Sequence, residues 1–150
     1  MEINAFLQHK EKDTKSIALL KEFYAGKAIN TVNGTLDMDA ISRIFVDNPT
    51  WHVCPGFPDG GTYQGIAEVF GSLYANIPNR YSIFYGVPEV FIDAGDVVTV
   101  LGFYHFAVKK GDALKRARFS HTLKIASDGR IEGVWQVADS HVLQECLNAE

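Results

Sequence analysis

The first half of the chain has the spacing of apolar residues that is typical of amphipathic helices. In residues 13–29 the apolar side chains recur three or four positions apart and share one helical face: Ile17, Leu20, Phe23 and Tyr24. Two more helices are predicted over residues 36–45 and 66–77. A short strand at residues 50–54 and a loop at 57–65, rich in glycine and proline, separate them.

The second half changes to the alternating pattern of β-strands. Runs rich in β-branched and aromatic residues predict strands over residues 81–85, 89–92, 97–108, 114–126 and 130–139. A helical tail over residues 140–147 follows. Helices followed by a run of antiparallel strands predict an α+β fold. We expect one domain over residues 1–150, with residues 1–12 as a loosely ordered extension.

Composition and charge exclude some classes of partner. The chain has 150 residues and a formal net charge of -4, whereas nucleic-acid binding requires a basic face. No apolar run approaches the length of a membrane span. Only two cysteines are present, Cys54 and Cys146, too few for a disulfide framework. We therefore expect a cytoplasmic protein that binds neither nucleic acid nor membrane.

Four segments, taken in order, carry a resemblance. They read LKEFYA at residues 20–25, FVDNPTW at 45–51, YQGIAEVF at 63–70 and GRIEGVWQVAD at 129–139. Together they resemble the SnoaL-like proteins, polyketide cyclases related to the ketosteroid isomerases within the nuclear transport factor 2-like superfamily. The resemblance implies a cone, in which a curved antiparallel sheet packs against three helices of the N-terminal half. It also implies a pocket between sheet and helices, and a homodimer through the convex face.

The catalytic residues of the ketosteroid isomerases are absent from the matching positions of this sequence. The position of the isomerase base matches Val53, or Cys54 if the register slips by one. The tyrosine matches Phe23, and the oxyanion-hole aspartic acid matches His121. Tyr24 follows Phe23 but points about 100° away around the helix. The catalytic acid of the cyclases matches Gln136, which exchanges no proton at neutral pH.

His121 and Gln136 remain as a polar pair on neighbouring predicted strands. Histidine titrates near neutral pH and can act as an acid, a base or a hydrogen-bond donor, so His121 is the candidate catalytic residue. Alternation along the last strand puts Gln136 and Trp135 on opposite faces, and the resemblance implies that Gln136 is the inward one. His52 and Cys54 share a strand face and could both touch one zinc ion, but the further ligands have no candidates. We expect no metal and no cofactor.

The resemblance and the strand alternation together predict the residues that line the pocket. Tyr104 and His105 lie on opposite faces, and the sequence leaves open which one points inward. The loop at residues 57–65 lies beside the pocket mouth in this fold and could act as a lid. The expected lining consists of Phe23, Trp51, Val53, Phe70, Tyr104, Phe119, His121, Val134 and Gln136.

Three functions fit these observations. The first is a domain whose apolar pocket binds a small hydrophobic molecule of the steroid, terpenoid or polyketide kind. The second is an isomerase or cyclase that uses His121 as acid or base, with Gln136 orienting the substrate. The third is a protein-interaction module in which side chains fill the cone. The absence of carboxylates at the family's catalytic positions favours the first.

Overall fold

The computed structural model describes residues 3, 7, 8 and 10–149. Half of the predicted loose extension, residues 1–12, lies outside the described residues. Helix α1 spans Lys15–Tyr24 and begins at Thr14, whose hydroxyl oxygen accepts a hydrogen bond from the Ile17 amide. Helix α2 spans Met38–Ile44 and begins at Asp37, which accepts from the Ala40 amide. Thr14 and Asp37 are N-cap residues of the usual kind. Helix α1 is shorter than predicted.

Six strands form one curved sheet. They are β1 (Phe45–Val53), β2 (Gly61–Gln64), β3 (Ile83–Asp93), β4 (Val97–Ala107), β5 (Lys115–Ile125) and β6 (Ile131–Ala138). Their order across the sheet is β2-β1-β6-β5-β4-β3. All neighbours are antiparallel except β1 and β6, which run parallel. The α+β cone predicted from sequence is confirmed, with this one parallel pair in an otherwise antiparallel sheet.

Strand β1 begins earlier than predicted and contains a proline. The sequence Asn48-Pro49 indicates a turn, yet both residues belong to Phe45–Val53. The pairing of β1 with β6 shifts register between Phe45 and Thr50. Proline lacks the amide hydrogen that a strand ladder needs, and irregular positions of this kind are where a sheet tolerates it.

The third helix is also longer and less regular than predicted. Residues 65–80 form a continuous helical segment: helix α3 (Gly65–Glu68), a π-helical turn (Val69–Leu73), a 3-10 turn (Tyr74–Asn76) and helix α4 (Ile77–Arg80). Pro78 directly follows the predicted helix of residues 66–77. It lies in the first turn of α4, at the point where the segment changes from a 3-10 turn to an α-helix.

The core lies between the concave face of the sheet and the helices. Phe45, Phe70 and Phe106 are among the largest side chains that are fully buried. The final helix, α5 (Ser140–Asn148), follows β6 and buries Leu143. Within the described residues, no helix has the length and apolarity that crossing a membrane requires.

The two faces of the sheet follow the predicted alternation. On β5, the alternate residues Phe119, His121, Leu123 and Ile125 are buried and share the inner face. On β6, Val134 and Gln136 are buried, whereas Trp135 is 60% exposed and Val137 is 49% exposed. The structure therefore separates an inner face that could hold a ligand from an outer face with exposed apolar groups.

Candidate functional site

Two polar side chains are buried inside the cone, His121 and Gln136, and each is only 3% exposed. They lie on the neighbouring strands β5 and β6 and face each other directly across the pair. Burying polar groups in an apolar interior is costly unless they are hydrogen-bonded. The partners of these two residues therefore define the polar part of the site.

A chain of hydrogen bonds links the two residues through tyrosine hydroxyls. The Tyr24 hydroxyl lies 2.5 Å from His121 Nδ1, and the Tyr104 hydroxyl lies 2.6 Å from His121 Nε2. Gln136 Nε2 donates to the Tyr104 hydroxyl at 3.2 Å, and Gln136 Oε1 accepts from the Cys54 amide at 3.1 Å. Both imidazole nitrogens are thus engaged, and neither points directly at an open space.

Burial keeps every member of this chain uncharged near neutral pH. It lowers the pKa of His121 to about 3, because the charged imidazolium loses its hydration. Burial also raises the pKa of Tyr24 and of Tyr104 well above the usual value for a phenol. The site is therefore a neutral hydrogen-bonding chain and not an ion pair.

Two small cavities lie beside this chain. The Trp51 cavity has a volume of about 50 Å³, and its walls include Trp51, Val53, Phe57, Tyr81 and Gln136. The Tyr24 cavity has a volume of about 70 Å³, and its walls include Tyr24, Phe23, Thr31 and His121. The two share three walls, formed by Tyr74, Phe84 and Tyr104.

The loop that was predicted to lie at the pocket mouth closes part of the Trp51 cavity. Phe57 packs on Tyr104 with ring centroids 5.7 Å apart. Asp59 holds the loop through two hydrogen bonds to Arg80, both 2.6 Å long. The backbone of Asp59 has a φ of 63°, a conformation uncommon for a residue other than glycine. Residues 61–64 of the predicted loop form strand β2.

The structure brings six of the nine predicted pocket residues to the cavity walls: Phe23, Trp51, Val53, Tyr104, His121 and Gln136. The other three, Phe70, Phe119 and Val134, are buried but line neither cavity. Phe119 lies behind the polar chain, stacked 4.3 Å from His121. The open choice on β4 is resolved, because Tyr104 points inward and His105 stacks on Tyr85 outside.

Tyr24 is the main residue that the sequence analysis did not place in the site. Its position four residues after Leu20 puts it on the same helical face, so the spacing contained this signal. The other missed walls had no comparable signal, because most of them come from loops, the irregular helical segment and β3. They include Thr31, Phe57, Leu73, Tyr74, Tyr81 and Phe84.

The two residues considered for zinc have different partners in the structure. His52 lies near the outer face, where its ring packs on Trp135 and Nδ1 lies 3.0 Å from the Thr62 hydroxyl. The Cys54 sulfur lies 3.4 Å from the Ser140 hydroxyl. Across the described part of the chain, no group of three His, Cys, Asp or Glu side chains is placed to hold a metal ion.

Solved structures with the same architecture exist. An NTF2-like protein of unknown function from Burkholderia pseudomallei K96243 superposes with a TM-score of 0.73 at 18% identity, covering 91% of this chain and 99% of its own. The chain has the nuclear transport factor 2-like fold. A putative SnoaL-like polyketide cyclase from Jannaschia sp. CCS1 shares this fold, with a TM-score of 0.70 at 12% identity over 94% of this chain and 99% of its own.

Other proteins with the nuclear transport factor 2-like fold have been crystallised with small molecules. TerC, co-crystallised with polyporic acid, superposes with a TM-score of 0.74 at 21% identity over 91% of this chain and all of its own. At these identities the similarity establishes the fold alone. No family model matches the sequence, and no curated protein sequence matches it.

Proposed function

We propose that this chain is a binding domain for a small, mainly apolar molecule that carries a hydrogen-bond acceptor such as a carbonyl oxygen. A neutral imidazole has one N–H donor and one acceptor nitrogen. His121 therefore donates to one of its two tyrosine partners and accepts from the other. The tyrosine that accepts keeps its own hydroxyl hydrogen, so the part of the chain formed by Tyr24, His121 and Tyr104 contains one hydrogen that it does not use.

This spare hydrogen is the observation that carries the proposal. Tyr24 has His121 as its hydrogen-bond partner, and Tyr104 has His121 and Gln136; neither hydroxyl has another partner among the described residues. Leaving a buried donor unpaired costs about 1–3 kcal/mol. An acceptor atom of a ligand beside the tyrosines removes that cost, and the aromatic walls supply apolar contact for the rest of the ligand.

The sizes of the cavities bear on the size of the ligand. Volumes of about 50 and 70 Å³ are far below the roughly 300–1,000 Å³ of most ligand sites. Cavities of this size favour a ligand no larger than a single ring. A steroid-, terpenoid- or polyketide-like ligand would need the shared walls and the Phe57 loop to move, which is the role of a lid.

Binding ranks ahead of acid–base catalysis by His121. Both of its nitrogens are already hydrogen-bonded, and its pKa of about 3 leaves it unprotonated at neutral pH. An efficient general acid or base needs a pKa near the working pH and direct reach to the substrate. TerC, crystallised with polyporic acid, supports a small-molecule role for this fold.

The proposal is tested by thermal-shift measurements with ketones of increasing size: cyclopentanone, camphor and a steroid ketone, each beside a hydrocarbon of the same shape. A ligand at 100 times its Kd stabilises the fold by about 2.7 kcal/mol, a rise in Tm of several degrees. We expect a ketone to raise the Tm more than its hydrocarbon, and His121→Gln to weaken its binding at least tenfold.

The matched control is His105→Gln, on the outer face of β4, which should leave ketone binding unchanged. No shift from any ketone, with a cooperative melt, would contradict the proposal and favour the interaction module. Equal shifts from ketones and hydrocarbons would show an apolar cavity in which the spare hydrogen has no part.

A further inference from the structure

The spare hydrogen has two possible positions, and the tautomer of His121 decides between them. In the first arrangement Nδ1 carries the proton and donates to Tyr24, while the Tyr104 hydroxyl donates to Nε2. The spare hydrogen then belongs to Tyr24, a wall of the Tyr24 cavity. Tyr104 keeps an oxygen that accepts from Gln136 and has room for one more donor.

In the second arrangement Nε2 carries the proton and donates to Tyr104, while Tyr24 donates to Nδ1. The spare hydrogen now belongs to Tyr104, which forms a wall of both cavities. The oxygen of Tyr104 accepts from both His121 and Gln136, so its lone pairs are used. Tyr24 becomes an acceptor toward its own cavity.

The surroundings do not fix either arrangement. A buried histidine usually has its tautomer set by a partner with only one role, such as a carboxylate or a backbone carbonyl. Both partners here are phenol hydroxyls, each of which can donate or accept. Burial also keeps the imidazole neutral, with a pKa of about 3, so a doubly protonated ring does not compete near neutral pH.

We infer that His121 is a positioning residue that shares one hydrogen-bond donor between the two cavities, and that a ligand chooses the tautomer by where its acceptor atom lies. This rests on the binding function proposed above and specifies its ligand. An acceptor at Tyr24 turns the Tyr104 oxygen into an acceptor toward the Trp51 cavity. This hydrogen-bonding chain therefore suits a molecule with an acceptor at one end and a donor at the other, such as a hydroxy ketone. Two ligand acceptors, one at each tyrosine, would compete for the same spare hydrogen.

The inference is tested without any ligand by ¹⁵N NMR of the histidine side chains, which distinguishes the two neutral tautomers. His121→Gln assigns the signal. In Tyr24→Phe, a proton on Nδ1 would face a phenyl ring, whereas the freed Tyr104 hydroxyl can turn its hydrogen to water in a cavity. We expect the Nε2–H form in Tyr24→Phe and, by the same reasoning, the Nδ1–H form in Tyr104→Phe.

Tyr63→Phe is the matched control, because Tyr63 lines neither cavity and its hydroxyl donates to the Asp59 carbonyl oxygen, and it should leave the His121 signal unchanged. A milder variant keeps Tyr24, His121 and Tyr104. Gln136→Met removes one donor to Tyr104, so the Nε2–H form should become at least as populated as in the wild type. The same tautomer in both tyrosine variants, or more Nδ1–H form in Gln136→Met, would overturn the inference.

Titration with cyclopentanone separates this inference from the proposed function. Opposite tautomers in the tyrosine variants without cyclopentanone binding would support the shared donor and count against the ketone site. Binding that leaves the same tautomer in both variants would support the site and refute the shared donor. Where both hold, saturating cyclopentanone should move the wild-type His121 signal toward one pure tautomer.

Discussion

At positions 23 and 24 two adjacent aromatic residues on one helix have different roles. Phe23 packs edge-on against Phe45, with ring centroids 5.3 Å apart, and belongs to the apolar core. Tyr24 reaches His121 and brings a hydroxyl into the interior. Successive residues differ by about 100° around a helix, and a core-facing stripe is wide enough for both. The isomerase tyrosine position therefore falls on Phe23, but the hydroxyl comes from the next residue.

The buried imidazole makes a prediction about acid stability. The pKa of His121 is about 3 in the folded protein and about 6.5 in an unfolded chain. The unfolded state binds the extra proton below pH 6.5, so stability is complete above that pH and falls as the pH drops toward 3. Between pH 6.5 and 5 this residue should lower the free energy of unfolding by roughly 1.5 kcal/mol, measured by urea denaturation.

His121→Gln should lose this component of the pH dependence, since glutamine does not titrate. His105→Gln, on the outer face, should keep it. An unchanged pH dependence in His121→Gln would mean that the imidazole is not held neutral by burial.

At the scale of elements, strand β3 differs most from its predicted form. Two short strands were predicted, but Ile83–Asp93 is one strand with a register shift between Pro88 and Val90. A bulge of this kind bends a strand and takes up a residue that cannot join the ladder. Gly102 on β4 lies directly opposite Pro88, so the bulge depends on a residue without a side chain.

Gly102→Ala should therefore be strongly destabilising. A Cβ atom there would overlap the Val87 carbonyl oxygen and lie 2.8 Å from the Phe119 ring and 2.9 Å from Pro88 Cα. Two of these neighbours are backbone atoms that cannot move aside cheaply. We expect a loss of about 1–3 kcal/mol or more, measured by chemical denaturation.

Gly133→Ala on β6 is the control for this prediction. Its nearest contacts would be at 3.7 Å, an ordinary packing distance, so its effect should be within about 0.5 kcal/mol. Equal losses in the two variants would indicate a general cost of alanine in these strands and not a close approach at Gly102.

At the scale of the whole molecule, exposed apolar side chains lie on the outer face of the sheet, on strand β6 and on the edge strand β3. Trp135 and Val137 on β6 are exposed, as are Ile83, Tyr85 and Val87 on β3. Arg116 and Arg118 lie between these strands and pack their guanidinium groups on the Phe103 ring, at 4.4 and 4.8 Å. We propose that this face forms the homodimer interface that the sequence resemblance implies.

Sedimentation equilibrium of the wild type and of Trp135→Glu tests the proposed dimer. A stable interface buries about 800 Å² on each subunit, and a buried unpaired carboxylate at its centre is costly. We expect the wild type to be a dimer at micromolar concentration and the variant to be a monomer. Val32→Glu, at a 64% exposed position in the connection between α1 and α2, should remain a dimer. A monomeric wild type would rule the interface out.

The sequence by itself determined the order of most elements and which residues of a strand share a face. Helical spacing predicted α1 and α2, because it reports which side of a helix is apolar; strand alternation gave the relative facing of residues, and the resemblance implied that His121 and Gln136 point inward. The fold class followed from the order of elements and from the resemblance of four short segments. Neither source located the tyrosine hydroxyls that pair with His121.

The tertiary structure decided everything that depends on distance between separate elements. His121 lies 97 residues from Tyr24 and 17 from Tyr104, and only the closing of the cone brings their polar atoms within hydrogen-bonding distance. The parallel pairing of β1 with β6, the bulge opposite Gly102 and the two small cavities have the same origin. Periodicity describes one element at a time, whereas a site between elements is set by how their side chains pack.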